Sequence, residues 1–214
     1  MKIVSVILAR GGSKEIPNKN IISLNGKPLL SYVIGASKNA DIDETWVSTD
    51  SKKIKEVAQL CGAQVIDRPD NISGDFSKSE EALKHFSDNV NFDILVFIQP
   101  TSPLLNASDI NRGLQLFRNK RYNYDSVFSA YKEHWIPKWS MNIQPINWNI
   151  DNRPMRQAKE DKYIENGAFY ITSREQFLKS NLRYGGNIGI VEMPNYRSFQ
   201  IDTLNDLKLI EKIL

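Results

Sequence analysis

Apolar residues along this 214-residue chain fall into short unbroken runs that alternate with stretches of helical period. Met1 to Ala9 is too short and too β-branched for a helix of its own and reads as a buried strand. Leu29, Leu30, Val33, Ile34 and Ser37 then recur at helical spacing, Thr45 to Ser48 reads as a short strand, and Lys52 to Leu60 is again helical. Two apolar strands, Ala63 to Ile66 and Phe92 to Ile98, are separated by a helix from about Ser77 to Ser87. Ala107 to Phe117 and Ser126 to Ala130 continue the alternation, and strands at Gly167 to Thr172 and Ile188 to Met193 precede an ending helix from Leu204 to Leu214. Such a series implies right-handed β-α-β crossovers, hence an α/β fold of three layers with a mostly parallel central sheet and helices on both faces.

In sheets of this kind ligands gather beyond the carboxyl ends of the strands. The polar segments collect there: Arg10 to Asn20 after the first strand, Thr49-Asp50 after the second, Arg68 and Asp75 after the third, Gln99 to Ser102 after the fourth. Taken singly, each is ordinary loop chemistry, with Ser-Thr-Asp as a helix cap and Pro-Thr-Ser-Pro as a turn. Their shared edge makes them a candidate site. Residues 131 to 165 break the rhythm, carrying Trp135, Trp139, Trp148, Pro137, Pro145 and Pro154 without a long amphipathic period. Such an insertion either folds its aromatics over the site or buries them against a second subunit.

Composition narrows the setting. The length fits one domain, residues 1 to 214, that needs no disulfide or structural metal. Cys61 is the single cysteine and sits in a helical run, so it reads as a reduced helix residue suited to the cytoplasm. No segment approaches the roughly twenty apolar residues that span a bilayer, and the first strand lacks a signal-peptide pattern, so we expect a soluble cytoplasmic protein with no membrane partner. The net charge of +3 is mild and the cations are dispersed, which argues against nucleic acid as a partner. His85 and His134 offer no local metal-ligand pair.

The chemistry concentrates after the first strand, where Arg10, Lys14 and Lys19 surround Gly11 and Gly12. The glycines let the backbone turn sharply and bring N–H groups against an anion, while the cations neutralise phosphate oxygens. That is a triphosphate-holding arrangement. The spacing matches neither the G-x-x-x-x-G-K-[ST] loop nor the G-x-G-x-x-G fingerprint.

Arg10-Gly11-Gly12-Ser13-Lys14, with Ile16-Pro17 and Lys19-Asn20, resembles the signature loop of the CMP-nonulosonate synthetases, the cytidylyltransferases that activate sialic, legionaminic and pseudaminic acids. Four further segments agree in order and spacing: Val47-Ser48-Thr49-Asp50, Gln99-Pro100-Thr101-Ser102-Pro103-Leu104, Arg156-Gln157 with Glu165-Asn166-Gly167-Ala168-Phe169-Tyr170, and Ile201-Asp202-Thr203. The resemblance runs almost end to end and implies a Rossmann-like fold of the nucleotide-diphospho-sugar transferase type. It implies CTP and an acidic sugar as substrates, and a homodimer in which the 131 to 165 insertion makes the contact and reaches the neighbouring site. By resemblance Arg10, Gly12, Ser13 and Lys14 hold the triphosphate, and Lys19 and Asn20 serve the phosphate or cytidine side. Arg68, Ser77 and Ser79, with the Leu8 and Ala9 backbone, serve the base, although the two serines equally suit a capped helix start before Glu80 and Glu81.

On the acceptor side, Arg156 is placed by the motif to grip a carboxylate, with Gln157 and Asn166 as hydrogen-bond partners, and Gln99 and Ser102 sit where the family contacts the sugar. Tyr163, Phe169, Tyr170 and Tyr184 could form a side-chain pocket, or simply core. Magnesium is expected, since it bridges phosphate oxygens and takes one or two carboxylates plus water; Asp202 is the best ligand candidate, with a helix cap as its alternative. Two departures stand out. Gln200 replaces the first carboxylate of the Asp-Ile-Asp familiar in sialic acid enzymes, and Glu15 stands where glycine is usual, which would strain it if that position needs positive φ. Competing readings are a cytidylyltransferase for another acid, such as Kdo or a small phosphonate, a glycosyltransferase, and a non-catalytic nucleotide-binding protein. A glycosyltransferase would want Asp-x-Asp after a central strand, where Gln99-Pro100-Thr101 stands instead.

Overall fold

A computed structural model describes residues 1–214. In chain order the strands are β1 Ile3–Leu8, β2 Ser23–Leu24, β3 Lys27–Pro28, β4 Glu44–Thr49, β5 Gln64–Asp67, β6 Ile94–Ile98, β7 Ser126–Glu133, β8 Lys162–Ser173 and β9 Ile188–Glu192. The helices are α1 Leu29–Lys38, α2 Lys52–Leu60, α3 Ser79–Asn89, α4 Ala107–Arg118, α5 Arg174–Ser180 and α6 Leu204–Ile213. Seven strands form one sheet in the order β5-β4-β1-β6-β8-β7-β9, and β2 pairs with β3 in a small hairpin. Only β8 runs against the others, pairing antiparallel with both β6 and β7. The sheet is therefore mostly parallel, as the alternation implies.

Period-two alternation in β1 decides which layer each helix joins. Ile3 and Ile7 face a core shared with Leu30, Val33 and Ile34 of α1, Ile54 and Ala58 of α2, and Ile110 and Leu114 of α4. Val4 and Val6 face the other side, against Leu83 and Phe86 of α3 and Phe177 of α5. Burying each of these large side chains stabilises the fold by about 1.5–3 kcal/mol. Ser5 points into the first layer and is fully buried, yet satisfied by a hydroxyl chain through Ser37 to Thr45 at 2.6 and 2.7 Å. A third cluster joins Ile16 of the loop after β1 to Leu24, Leu104, Ile201, Leu207 and Ile210. It fixes α6 and its preceding segment beside the open ends of β1 and β6.

The irregular stretch has more order than its composition suggests. Its two ends prolong β7 and β8 into a paired arm, with Tyr131 opposite Ile164 and Glu133 opposite Lys162. Beyond it, Trp139 and Trp148 meet edge to face at 5.0 Å, and the Arg153 guanidinium lies 5.6 Å from the Trp148 ring centre. No helix is long and apolar enough to cross a membrane.

Candidate active site

The loop after β1 is shaped by neighbours at the same sheet edge. Ala9 N–H donates to the Ser48 carbonyl at 3.0 Å, carrying the β1–β4 pairing one residue further, and Gly11 N–H then donates to Asp50 Oδ1 at 2.8 Å. A Cβ on Gly11 would sit 2.9 Å from Ser51 Cβ, so only glycine permits this approach, whereas Gly12 has nothing within 4 Å of its missing Cβ. Asn20 is buried and donates from Nδ2 to the Arg10 carbonyl at 2.9 Å, pinning the loop's start to its end. The left-handed residue of the loop is Asn18, at φ 55°. Glu15 is not among the residues of positive φ, so the expected strain at that departure is absent.

Each cation of the loop meets a carboxylate. Arg10 and Lys14 grip the two oxygens of Asp75 at 2.9 and 2.7 Å, and Lys19 meets Asp202 at 2.9 Å. Hydrogen bonds from Lys14 and then Arg10 hold the Asp75 carboxyl below the ordinary carboxylate range. A carboxylate so placed marks where phosphate oxygens could sit. Arg68 is buried and bonds the Ser48 hydroxyl and carbonyl at 3.1 and 2.5 Å. Burial pulls its guanidinium down to about 10, against the attraction of Asp50, so it keeps its charge at neutral pH. The Val47-Ser48-Thr49-Asp50 segment thus positions the loop and Arg68 together.

Two cavities meet here. The first, of about 280 Å³, is lined by Leu8, Ser13, Asn20, Ser77 and Ser79, by the cations Arg10, Lys19, Arg68 and Lys78, and by Asp202 as its only carboxylate. A polar annex of about 370 Å³ continues from Arg10 and Ser13 to Gly12, Lys14 and Asp75. The second cavity, about 500 Å³, shares Gln99, Gln200 and Asp202 with the first, but Glu165 and Asp206 add negative charge to it and no lysine or arginine lines it.

A bulge in β8 builds that second cavity. Ala130 opposes Glu165 and Phe128 opposes Tyr170, so Asn166 to Phe169 face the single residue Ser129. Gly167 takes φ +70°, and a Cβ there would meet Gln200 Nε2 at 2.5 Å and Gln99 Oε1 at 3.1 Å. The Asn166 amide staples the bulge: Oδ1 accepts from Ser129 Oγ at 2.6 Å and Ala168 N–H at 3.1 Å, while Nδ2 donates to Ser198 Oγ at 2.9 Å. Gln200 in turn donates to the Asn166 carbonyl and accepts from Thr101 Oγ1 at 3.3 Å, tying the ends of β6 and the bulge together.

Ser77 and Ser79 line the first cavity, and neither side chain caps α3; Ser77 Oγ accepts from Gly74 N–H at 3.1 Å, and Lys78 N–H is met by Glu81 at 2.8 Å. The cap of α6 is Thr203, whose hydroxyl accepts from Asp206 N–H at 3.3 Å, which frees the Asp202 side chain for the cleft. Ala9, Ser102, Arg156, Gln157 and Tyr170, which the sequence also offered as contacts, line neither the first nor the second cavity. Ala9 is buried, and Ser102 is buried with its hydroxyl unpartnered. Tyr170 is 2% exposed, its ring stacked on Phe97 at 5.5 Å, so it belongs to the core side of the bulge. Arg156 and Gln157 occupy an exposed 3-10 turn on the arm and line neither cavity. Asp75 and Lys78 are the residues the motifs missed, Asp75 being visible only as a polar group at the correct sheet edge; Asp50 closes a quoted motif but was given no role.

A metal ion finds limited support from protein groups. No cluster of three histidine, cysteine or acidic side chains occurs. Asp202 is the one carboxylate common to both cavities, and the Gln200 amide beside it is engaged in its own bonds. One carboxylate meets the lower requirement of magnesium when nucleotide phosphates and water supply the rest. The site fits the ion on that condition.

A family model described as cytidylyltransferase matches residues 4–214. The chain belongs to the cytidylyltransferase family. It is 38% identical to N-acylneuraminate cytidylyltransferase B of Danio rerio over 97% of this chain and 50% of that protein. It is 30% identical to the pseudaminic acid cytidylyltransferase of Campylobacter jejuni, over 97% of this chain and 94% of that protein. The chain therefore spans about half the length of the curated N-acylneuraminate relatives it matches and nearly all of the pseudaminic acid relative. The solved structure of CMP:2-keto-3-deoxy-manno-octonic acid synthetase complexed with CTP superposes with a TM-score of 0.72 at 18% identity, covering 100% of this chain and 98% of that one. That likeness shows the shared fold.

Proposed function

We propose that this cytidylyltransferase transfers CMP from CTP to the anomeric hydroxyl of a nonulosonic acid, releasing pyrophosphate. The observation that carries the reading is the meeting of a cation-lined cavity with a second, roomier cavity at Gln99, Gln200 and Asp202. An in-line displacement needs this layout, with nucleotide on one side of the α-phosphorus and nucleophile on the other. Arg68, Ser77 and Ser79 face the cytidine end. Arg10 and Lys14 leave Asp75 for the outer phosphates, and Lys19 neutralises charge at the junction. The hydroxyl oxygen bonds to the α-phosphorus as the bond to the β-phosphate oxygen breaks; the hydroxyl proton leaves to water, and pyrophosphate departs toward the polar annex. A magnesium ion held by Asp202 and the phosphates would add charge neutralisation at that centre.

The acceptor's carboxylate finds no cation among the residues lining the second cavity. Arg156 supplies one, with Gln157 as a hydrogen-bond partner, if the arm of a second copy covers this opening. The arm supports that reading: Met141, Ile143, Ile146, Ile150 and Met155 are exposed on it, and the Trp135 and Trp148 indole N–H groups are buried without partners. A homodimer working in the reducing cytoplasm, where the lone Cys61 stays free, completes the proposal. Pyrophosphate release from CTP with a panel of nonulosonic acids, Kdo and small phosphonates tests it. Turnover should require CTP and a nine-carbon keto acid sugar; equal use of UTP or ATP, or no turnover of any such sugar, overturns the reading. Mixing the inactive variants Arg156→Ala and Asp202→Ala should restore part of the activity if the arm serves a neighbouring site.

A further inference from the structure

We infer that Glu165 is a specificity-determining residue of the acceptor cavity, its carboxylate accepting hydrogen bonds from neutral donors, hydroxyl or acylamino N–H, on the part of the acceptor remote from the reacting end. The inference rests on the reaction proposed above and goes beyond it. Glu165 stands where the β8 bulge begins, opposite Ala130, and it lines the second cavity. The four-residue bulge folds the strand back so that Glu165 meets Tyr170, although in a regular strand residues five apart would project to opposite faces. Its Oε1 accepts from the Tyr170 hydroxyl in a short hydrogen bond, and its Oε2 faces the Tyr184 hydroxyl at 3.4 Å.

The tyrosines are themselves held. Tyr170 stacks between Phe97 and Tyr184, at 5.5 and 5.9 Å between ring centres, and the Arg183 guanidinium lies 5.2 Å from the Tyr170 ring. Arg183 is in turn fixed by Glu80 on α3 at 2.8 Å. The carboxylate is thus oriented by a packed platform while the residue itself remains exposed on the cavity side. An ionised carboxylate offers about four acceptor positions, and the tyrosines take two. Glu165 makes no ion pair, and no lysine or arginine lines the cavity with it, so the remaining lone pairs await neutral donors.

The test uses the full chain with the keto acid sugar that the parent turns over best among N-acetylneuraminate, legionaminate and pseudaminate, together with mono-deoxy and des-acylamino analogues of that sugar. Glu165→Ala should raise the acceptor KM about ten- to a hundredfold, the scale of a hydrogen bond to a charged group, with the KM for CTP unchanged. Glu165→Gln, which keeps the shape and can still accept from Tyr170, should show a smaller rise. One analogue should cost the parent the same factor while costing Glu165→Ala nothing further, the non-additivity expected of contacting groups. An unchanged acceptor KM in Glu165→Ala, or equal losses by parent and variant on every analogue, overturns the inference and leaves the proposed reaction standing. A parent that turns over none of these sugars overturns the reaction and the inference with it. Calorimetric CTP titrations of both variants should match the parent, and Glu165→Gln, which keeps an acceptor for the Tyr170 hydroxyl, should also melt like it, whereas Glu165→Ala leaves that hydroxyl unpartnered and should melt lower; parallel loss of CTP affinity would make Glu165 a structural residue and reject the assignment.

Discussion

Lys19 Nζ lies 2.9 Å from Asp202 Oδ1, joining residues 183 positions apart at the junction of the two cavities. The pair is asymmetric: the lysine side chain is 16% exposed and the aspartate 63%. A carboxylate that open contributes little to stability, on the order of 0–1 kcal/mol for such a pair. Asp202→Ala should therefore melt close to the parent yet lose nearly all turnover. Its affinity for Mn2+ in the presence of a non-hydrolysable CTP analogue, read by electron paramagnetic resonance, should fall as well. An Asp202→Ala protein that melts early but keeps rate and metal affinity would return the residue to a structural role.

Arg10 and Lys14 share Asp75, so each should matter more as charge develops on departing pyrophosphate than in the resting protein. Arg10→Ala and Lys14→Ala should each lower turnover by roughly a hundredfold, the scale of removing one oriented stabilising group. Normal turnover in both variants, with folding intact, would remove the loop from the chemistry.

The same contacts set a pH response. Because the Asp75 carboxyl is held below its ordinary value by Lys14 first and Arg10 second, the clamp's contribution is complete above the unfolded carboxylate value of about 3.9 and is lost as pH falls through the lowered one. Carbon-13 titration of the Asp75 carboxyl should show it ionised throughout the neutral and mildly acidic range. In Lys14→Ala the midpoint should move up toward the ordinary range; an unmoved midpoint would mean that the ion pair does not form in solution.

The layered sheet was legible because its parallel strands are continuous apolar runs and its helices carry period 3.6, so tertiary packing agrees with local pattern. Helix α5, at seven residues, is too short to display a period and went unread. The paired arm was hidden because Tyr131 to Glu133 and Lys162 to Ile164 project from the body of the sheet and need no apolar face. At the site, Arg10, Lys14, Lys19 and Arg68 could be read from charge next to glycine or at a strand end. Asn166 lines the second cavity as well as stapling the bulge, whereas Tyr170 turns to the core side, a difference that motif spacing does not show. Asp75 needed three-dimensional information, since nothing in Ser-Gly-Asp-Phe tells a clamp from a turn.

Gly11 and Gly12 make a paired test of the loop, since only the first is closely approached. Gly11→Ala forces its Cβ against Ser51 and should cost about 1–3 kcal/mol in stability while weakening CTP binding severalfold, because the Gly11 N–H bond to Asp50 must shift. Gly12→Ala should fold like the parent. Chemical denaturation with CTP titration checks both; equal effects from the two substitutions would contradict the packing described.

Gln200 carries the most specific consequence of the chain's departure from two carboxylates. Gln200→Asp adds a negative charge next to Asp202, which should lower the magnesium concentration for half-maximal rate and tighten Mn2+ binding to the nucleotide complex. The gain has a cost that the sequence does not reveal. Gln200 donates to the Asn166 carbonyl and accepts from Thr101, and a shorter ionised side chain can only accept, so the Asn166 carbonyl loses its donor. The variant should therefore be less stable than the parent by about 1–3 kcal/mol, the scale of an unsatisfied buried group, and Gly167 beside it should become more mobile. Gln200→Asn separates the two effects, because it shortens the side chain without adding charge and should lose stability with no gain in metal affinity. Metal titrations and denaturation curves for the three proteins decide the matter: if Gln200→Asn and Gln200→Asp bind Mn2+ equally, charge at this position does not reach the metal, and Asp202 with the nucleotide phosphates accounts for the ion alone.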